Sequence, residues 1–206
     1  MSKKSNLDIM TSMDRQTFVL VGRSGSGKGT QANLLMEKIK QFGPADIFYL
    51  QTGQRFRDFI SSPGYTTELS KGLEESGKLQ PSFLAIWIWS NILIENLKMT
   101  QHLVIDGTPR KLGEAVIFID AMKFYERRAR VINIEVSREW SKERLLGRQR
   151  SDDVEALIDK RLDWFDLDVL PVIEYFRSCG EVDFYNINGE QTIEEVHQDI
   201  VKKLGW

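Results

Sequence analysis

Short runs of consecutive apolar residues alternate along this chain with longer stretches in which apolar positions recur three or four residues apart. The runs at Thr17–Val21, Ile47–Leu50, His102–Asp106, Val131–Val136 and Val182–Asn186 read as strands, and the first stops at a glycine cluster. Thr30–Ile39 then carries apolar residues at helical spacing, and a helical pattern follows nearly every other strand. Apolar strands separated by helices predict a parallel sheet buried on both faces, a three-layer α/β/α fold with five strands. Thr192-Ile-Glu-Glu195 has the form of a capping box, after which Ile193, Val196, Ile200 and Leu204 make the stripe of a last helix. Pro171–Phe176 reads as a core-facing helix. Phe83, Trp87 and Trp89 recur on a helix after Pro81; they are expected in the core, with Trp87 the nearest of them to a ligand pocket.

Composition narrows the class. A 41% hydrophobic and 28% charged chain of 206 residues has enough apolar surface to fold as one α/β domain. We expect that domain over 17–206, preceded by a flexible arm over 1–16, whose basic start lacks the apolar core of a signal peptide. The longest apolar stretch, Phe83–Trp89, is too short to cross a bilayer. A net charge of −2 gives no broad attraction to nucleic acid or anionic membrane, so any polyanion site must come from locally placed basic residues. The one cysteine, Cys179, excludes an internal disulfide and a multi-cysteine zinc site. A cytoplasmic monomer, with neither nucleic acid nor membrane as partner, is the expectation.

Local basic placement is what the chain has. GRSGSGKGT, Gly22–Thr30, lies between the first strand and first helix, the context that makes a phosphate loop credible. Gly22, Gly25 and Gly27 let the backbone turn its N–H groups inward, the helix start adds its positive dipole end, and Lys28 adds a mobile cation. Gly25, Ser26, Gly27, Lys28, Gly29 and Thr30 are the candidate ATP-binding residues. Gly29 intervenes where the strict pattern has Ser or Thr, and the hydroxyl arrives one residue later, at Thr30.

Further segments follow in order: Thr52-Gly-Gln-Arg-Phe-Arg57, Gly77-Lys-Leu-Gln-Pro81, Asp106-Gly-Thr-Pro-Arg110, Arg144-Leu-Leu-Gly-Arg148-Gln-Arg150-Ser-Asp-Asp153 and Lys160-Arg161-Leu162. With GKGTQ they resemble the adenylate kinase family of nucleoside monophosphate kinases, from about Phe18 to the C-terminus. The resemblance implies Mg²⁺-dependent transfer of the ATP γ-phosphate to a nucleoside monophosphate. It implies that Arg57 and Arg110 grip the acceptor phosphate, that Thr52 lines the acceptor base pocket, and that Asp106, through water, and Thr30 hold Mg²⁺. It further implies that Arg148, Arg150 and Arg161 reach the transferring group and that Arg144 lies against the ATP base. The acceptor segment falls at about 52–81 and the lid at about 148–152, where only Gln149 separates Arg148 from Arg150. So short a lid is expected to shield the site weakly and to permit some ATP hydrolysis.

The chemistry suits these residue types. Phosphoryl transfer spreads charge over the equatorial oxygens of the moving group, and an anionic acceptor needs no general base, so His102 and His197 need have no role. Lys28, Arg110, Arg148, Arg150 and Arg161 are the candidate catalytic cations; arginine's planar fork matches phosphate oxygens in pairs.

The acceptor pocket departs from the family pattern. A glutamine four residues past the DGxPR arginine contacts AMP in adenylate kinases, whereas Glu114 stands here, and Gln80 replaces an apolar residue that faces the base. An ionised carboxylate only accepts, which leaves adenine N1 unmatched and suits donor edges of guanine or cytosine. AMP is the first expectation; GMP and CMP or UMP stay open, as do a weakly catalytic ATP-binding regulatory module and a small non-nucleotide acceptor.

Overall fold

The computed structural model describes residues 15–148 and 154–206. Strands β1 (Thr17–Val21), β2 (Ile47–Gln51), β3 (His102–Asp106), β4 (Ala129–Glu135) and β5 (Asp183–Asn188) form a five-stranded sheet in the order β2-β3-β1-β4-β5. Every pairing is parallel. The helices are α1 (Lys28–Gln41), α2 (Thr52–Ile60), α3 (Tyr65–Glu75), α4 (Ser82–Asn96), α5 (Leu112–Phe124), α6 (Arg138–Arg148), α7 (Glu155–Trp164), α8 (Leu170–Ser178) and α9 (Ile193–Leu204). A π-helical turn, Phe165–Val169, joins α7 to α8.

Strand alternation sorts the core into two layers. Val19 and Val21 of β1, with Leu103 and Ile105 of β3, pack against α4, α5 and α8 through Trp89, Leu93, Phe118 and Val172. Phe18, Leu20, Val104 and Ile132 face the other way, against Leu35 and Ile39 of α1 and Val196 and Ile200 of α9. Because successive strand residues point to opposite faces, these apolar runs supply both layers at once. The helices that follow β1 and β3 therefore leave for opposite faces, and a crevice opens at the carboxyl ends of those neighbouring strands.

The three-layer sheet matches the expectation from the sequence, with shifted ends. β4 begins at Ala129 and β5 runs on to Asn188, because pairing of Arg130 with Asp183 and of Glu135 with Asn188 extends the ladder through polar residues. The capping box is present: Glu195 donates its N–H to Thr192 Oγ1 at 3.2 Å, and Thr192 donates its N–H to Glu195 Oε2 at 2.9 Å. Val196, Ile200 and Leu204 are buried as expected, but Ile193 is 43% exposed in the first turn. At the N-terminal side Gln16 is already tied in, donating its N–H to His102 Nδ1 at 3.1 Å and accepting from the Leu103 N–H. Residues 1–14 of the expected arm lie outside the described residues.

The aromatic helix corrects the reading made from spacing. Trp89 is 1% exposed and meets Phe118 edge-on at 6.2 Å, but Phe83 and Trp87 point to solvent, Trp87 touching Phe59. The unbroken apolar stretch Phe83–Trp89 has no period to tell one face from another, so only packing against α5 selects Trp89. Trp89→Ala is expected to cost about 3–5 kcal/mol of unfolding free energy, and Trp87→Ala less than about 1 kcal/mol, in denaturant titrations read by circular dichroism.

Candidate active site

The loop that leaves β1 turns through Gly22–Gly27 into α1. At Gly22, with φ 141°, a Cβ would strike the Ile134 carbonyl oxygen on β4; at Gly25, with φ 84°, it would stand 3.1 Å from the Ser141 carbonyl oxygen and from Leu145 Cγ on α6. Only glycine lets the backbone pass so close in that conformation. α1 starts after Gly27 with no side-chain cap, which leaves its leading N–H groups for an anion.

That loop forms one wall of a cleft of about 840 Å³ at the carboxyl edge of the sheet. Gly25, Gly27, Lys28, Gly29 and Thr30 line it, and Ser26 does not: its side chain is tucked beneath the loop, 6% exposed, while Ser24 faces the cleft. Lys28 Nζ folds back to donate to the carbonyl oxygens of Gly22 at 2.8 Å and Arg23 at 2.7 Å. Burial lowers the Lys28 ammonium to about 8, Asp106 opposing the fall and Arg110 and Arg148 adding to it.

The opposite wall comes from α2, α3 and the loop after β3. Thr52, Arg57, Gln80, Asp106, Arg110 and Glu114 all line the cleft. Arg57 and Arg110 converge: a Cβ on Gly53 would lie 3.7 Å from Arg57 Nη1 and 4.0 Å from Arg110 Nη2. Arg110 donates Nε–H to the Gly107 carbonyl oxygen at 2.7 Å and rests over the Trp164 ring at 5.5 Å. Burial pulls its guanidinium below the ordinary value while Glu114 and Asp106 oppose that, and it keeps its charge. Thr52 is 3% exposed, and its hydroxyl has no hydrogen-bond partner among the described residues. Asp106, 8% exposed, accepts from the Tyr49 hydroxyl at 3.4 Å; burial and that carboxylate hold the phenol protonated.

Glu114 is turned inward, 2% exposed. Its Oε2 accepts from the Arg110 N–H at 3.0 Å and from Thr108 Oγ1 at 3.4 Å. Burial raises its pKa, against the pull of those hydrogen bonds and of Arg110 and Lys111. Gln80 lines the cleft as expected, with its amide also engaged inside the chain. Its Oε1 accepts from Ser70 Oγ and its Nε2 donates to the Ser70 carbonyl oxygen, both at 2.9 Å, so the amide fastens the loop to α3.

The third wall is the α6–α7 hairpin, with Arg144, Arg148 and Arg161 on the cleft. Arg144 lies over the Trp140 ring at 4.9 Å, and Arg161 donates Nε–H to the Leu157 carbonyl oxygen at 3.4 Å. Arg150 and most of the expected lid fall in 149–153, outside the described residues. Spacing overlooked Trp164, Phe56, Tyr49 and Gln51, all of which line the cleft. Trp164 stands one helical turn past Arg161, and Tyr49 and Gln51 share a face of β2, so periods of three and two could have found them. Trp87, expected nearest the pocket, lies outside its lining; Trp164 is the tryptophan that reaches it.

A parallel sheet with a glycine phosphate loop on its central strand, facing a ring of basic side chains, is the architecture of a P-loop kinase. The family model described as adenylate kinase matches residues 20–181. An adenylate kinase of Corynebacterium urealyticum is 32% identical over 188 residues, covering 88% of this chain and 94% of the relative. Adenylate kinase 1 of Nostoc sp. is 29% identical over 192 residues (91% and 98%), and the Rickettsia akari adenylate kinase 26% over 218 residues (90% and 97%). The chain belongs to the adenylate kinase family and is a nucleoside monophosphate kinase.

Lys28 gives a pH test. Its charged form is what a phosphate attracts, and the free protein loses that charge as pH rises through about 8. A polyphosphate bound against Lys28 would raise the ammonium's pKa again and take up a proton in the alkaline range. Calorimetry of ATP binding in buffers of different ionisation heat should show little uptake near pH ~7 and close to ~1 proton near pH ~9, with affinity falling about tenfold per unit above ~8.

Proposed function

We propose that this protein transfers the γ-phosphate of Mg·ATP reversibly to AMP. The observation that carries the reading is the convergence of Arg57 and Arg110 over Gly53, across one cleft from the phosphate loop and Lys28. Two anion grips face one another, as two phosphorylated ligands aligned for transfer require. Lys28 and the loop amides hold the ATP phosphates, Arg57 and Arg110 hold the acceptor phosphate, and Arg148 and Arg161 stabilise the charge of the moving group. Arg150 joins them in the reading from sequence. Arg144, backed by Trp140, is the candidate contact for the ATP base, and Thr52 for the acceptor base.

Magnesium fits these residues. It prefers a few carboxylate oxygens together with waters and nucleotide phosphates, and Asp106 Oδ2 lies 3.5 Å from the position of a Cβ on Gly29, beside Thr30. Asp106, through water, and Thr30 would hold the ion. When bound it would supply positive charge that offsets the charge developing on the phosphate oxygens. The acceptor phosphate is itself the nucleophile, so the chain's own residues bind, orient and exclude water rather than move a proton.

Glu114 favours a second reading, with GMP or CMP as acceptor. An ionised carboxylate accepts from guanine or cytosine N–H groups but cannot donate to adenine N1; a protonated one does both, as an amide does. Burial raises the pKa of Glu114, so lower pH favours AMP and higher pH favours GMP or CMP. Diphosphate formation from Mg·ATP with AMP, GMP, CMP and UMP, beside a control without acceptor, tests both. AMP is expected to turn over fastest, and Glu114→Gln to raise kcat/KM for AMP about tenfold while flattening its pH profile. Faster GMP or CMP turnover, lost in Glu114→Gln, selects the second reading. Lys28→Ala and Arg161→Ala should still bind nucleotide yet lose at least about a hundredfold in turnover. ATP binding with no transfer to any of these acceptors would favour the regulatory module.

A further inference from the structure

Behind the cleft, Arg23 of the phosphate loop reaches away from the ligand side. Its Nη2 meets Asp166 Oδ1 at 2.5 Å, its Nε donates to the Val136 carbonyl oxygen at 3.2 Å, and its guanidinium lies 4.4 Å from the centre of the Phe165 ring. Only 14% of the side chain is exposed. The backbone carbonyl of the same residue accepts from Lys28 Nζ at 2.7 Å. Asp166 is therefore one residue away from the cation of the phosphate loop, and it sits in the π-helical turn at the end of α7.

Asp166 divides its two oxygens. Oδ1 takes Arg23, and Oδ2 takes Arg138 Nη1 at 3.3 Å, at the start of α6. Arg138 Nη2 then reaches Asp163 Oδ1 at 2.7 Å on α7. Further along the hairpin, Lys142 pairs with Glu155 and Asp159, each at 3.0 Å. Exposed pairs of that kind add little to stability. The Arg23 pair differs, because a mostly buried guanidinium that loses its counter-charge must move or drag the loop with it.

We propose that Asp166 is a positioning residue: its carboxylate, shared between Arg23 and Arg138, holds the phosphate loop in register with the α6–α7 hairpin that carries Arg144, Arg148 and Arg161. The two halves of the cleft belong to different elements, and transfer needs Lys28 and those arginines on the same phosphates within a fraction of an ångström. Ser141 on α6 adds a second tie, donating its hydroxyl to the Ser24 carbonyl oxygen of the loop. The proposal rests on the kinase reading, in that the arginines it registers are assigned there to the moving phosphoryl group.

Asp166→Asn keeps the shape and removes the charge, Asp166→Glu keeps the charge, and Arg128→Met breaks an exposed ion pair with Asp183 of similar geometry far from the cleft. In Asp166→Asn, kcat should fall about tenfold or more while the Kd for ATP changes less than about threefold; Asp166→Glu should recover part of kcat, and Arg128→Met should leave it unchanged. Amide hydrogen exchange gives a readout that needs no turnover. In the wild type, ATP should slow exchange both in the loop at 22–30 and in α7 at 157–164; in Asp166→Asn the loop should stay protected and α7 should not. Equal protection of 157–164 in wild type and Asp166→Asn, or an unchanged kcat in Asp166→Asn, overturns the proposal. Failure of the wild type to transfer phosphate to any acceptor overturns the kinase reading instead, and the exchange comparison still decides the coupling.

Discussion

Positive charge gathered around one cleft, with Lys28 and Arg110 drawn out of water, is the constraint around which the molecule is arranged. Lys28, Arg57, Arg110, Arg144, Arg148 and Arg161 all line the same cleft, and burial makes the repulsion between neighbouring cations felt most at Lys28 and Arg110. The Lys28 ammonium registers that pressure, lowered to about 8 by burial first and by Arg110 and Arg148 after it. Dipoles and rings carry much of the restraint. Carbonyl oxygens of Gly22 and Arg23 hold Lys28, that of Gly107 holds Arg110, the Gln54 amide holds Arg57, and Trp140 and Trp164 lie behind Arg144 and Arg110. Such partners orient a cation without cancelling the field that draws a polyphosphate.

On the outer side of the α6–α7 hairpin the solution is the reverse. There Arg138 and Lys142 face Asp159, Asp163 and Asp166, and charge is neutralised by charge. The hairpin thus carries paired charges on its outer side and presents Arg144, Arg148 and Arg161 to the cleft on its inner side. Arg23 connects the two regimes: its carbonyl touches Lys28, and its guanidinium touches the carboxylate that also holds Arg138.

Much of this was legible along the chain. The glycine loop between an apolar run and a helical pattern gave the phosphate cradle, because φ values open to glycine and an uncapped helix start are local properties. The capping box before α9 is likewise local, and so are the apolar runs of the strands. Trp87 and Trp89 show where locality ends. Two residues apart in an unbroken apolar stretch, they differ only in what the helix packs against. Gln80 shows the same for the cleft: its position along the chain did not show that Ser70, on a helix ten residues earlier, binds both ends of its amide.

By itself the sequence determined the class of fold, the phosphate loop and the supply of cations, since each depends on residue type and short-range spacing. Tertiary structure decided the rest: that Arg57 and Arg110 meet over Gly53, that Trp164 lies under Arg110, that Glu114 turns inward onto the Arg110 N–H, and that Asp166 joins Arg23 to Arg138. These contacts join residues brought together by the sheet order or by the way α7 packs against the loop. Their geometry depends on where the backbone places them, and spacing along the chain carries no record of that.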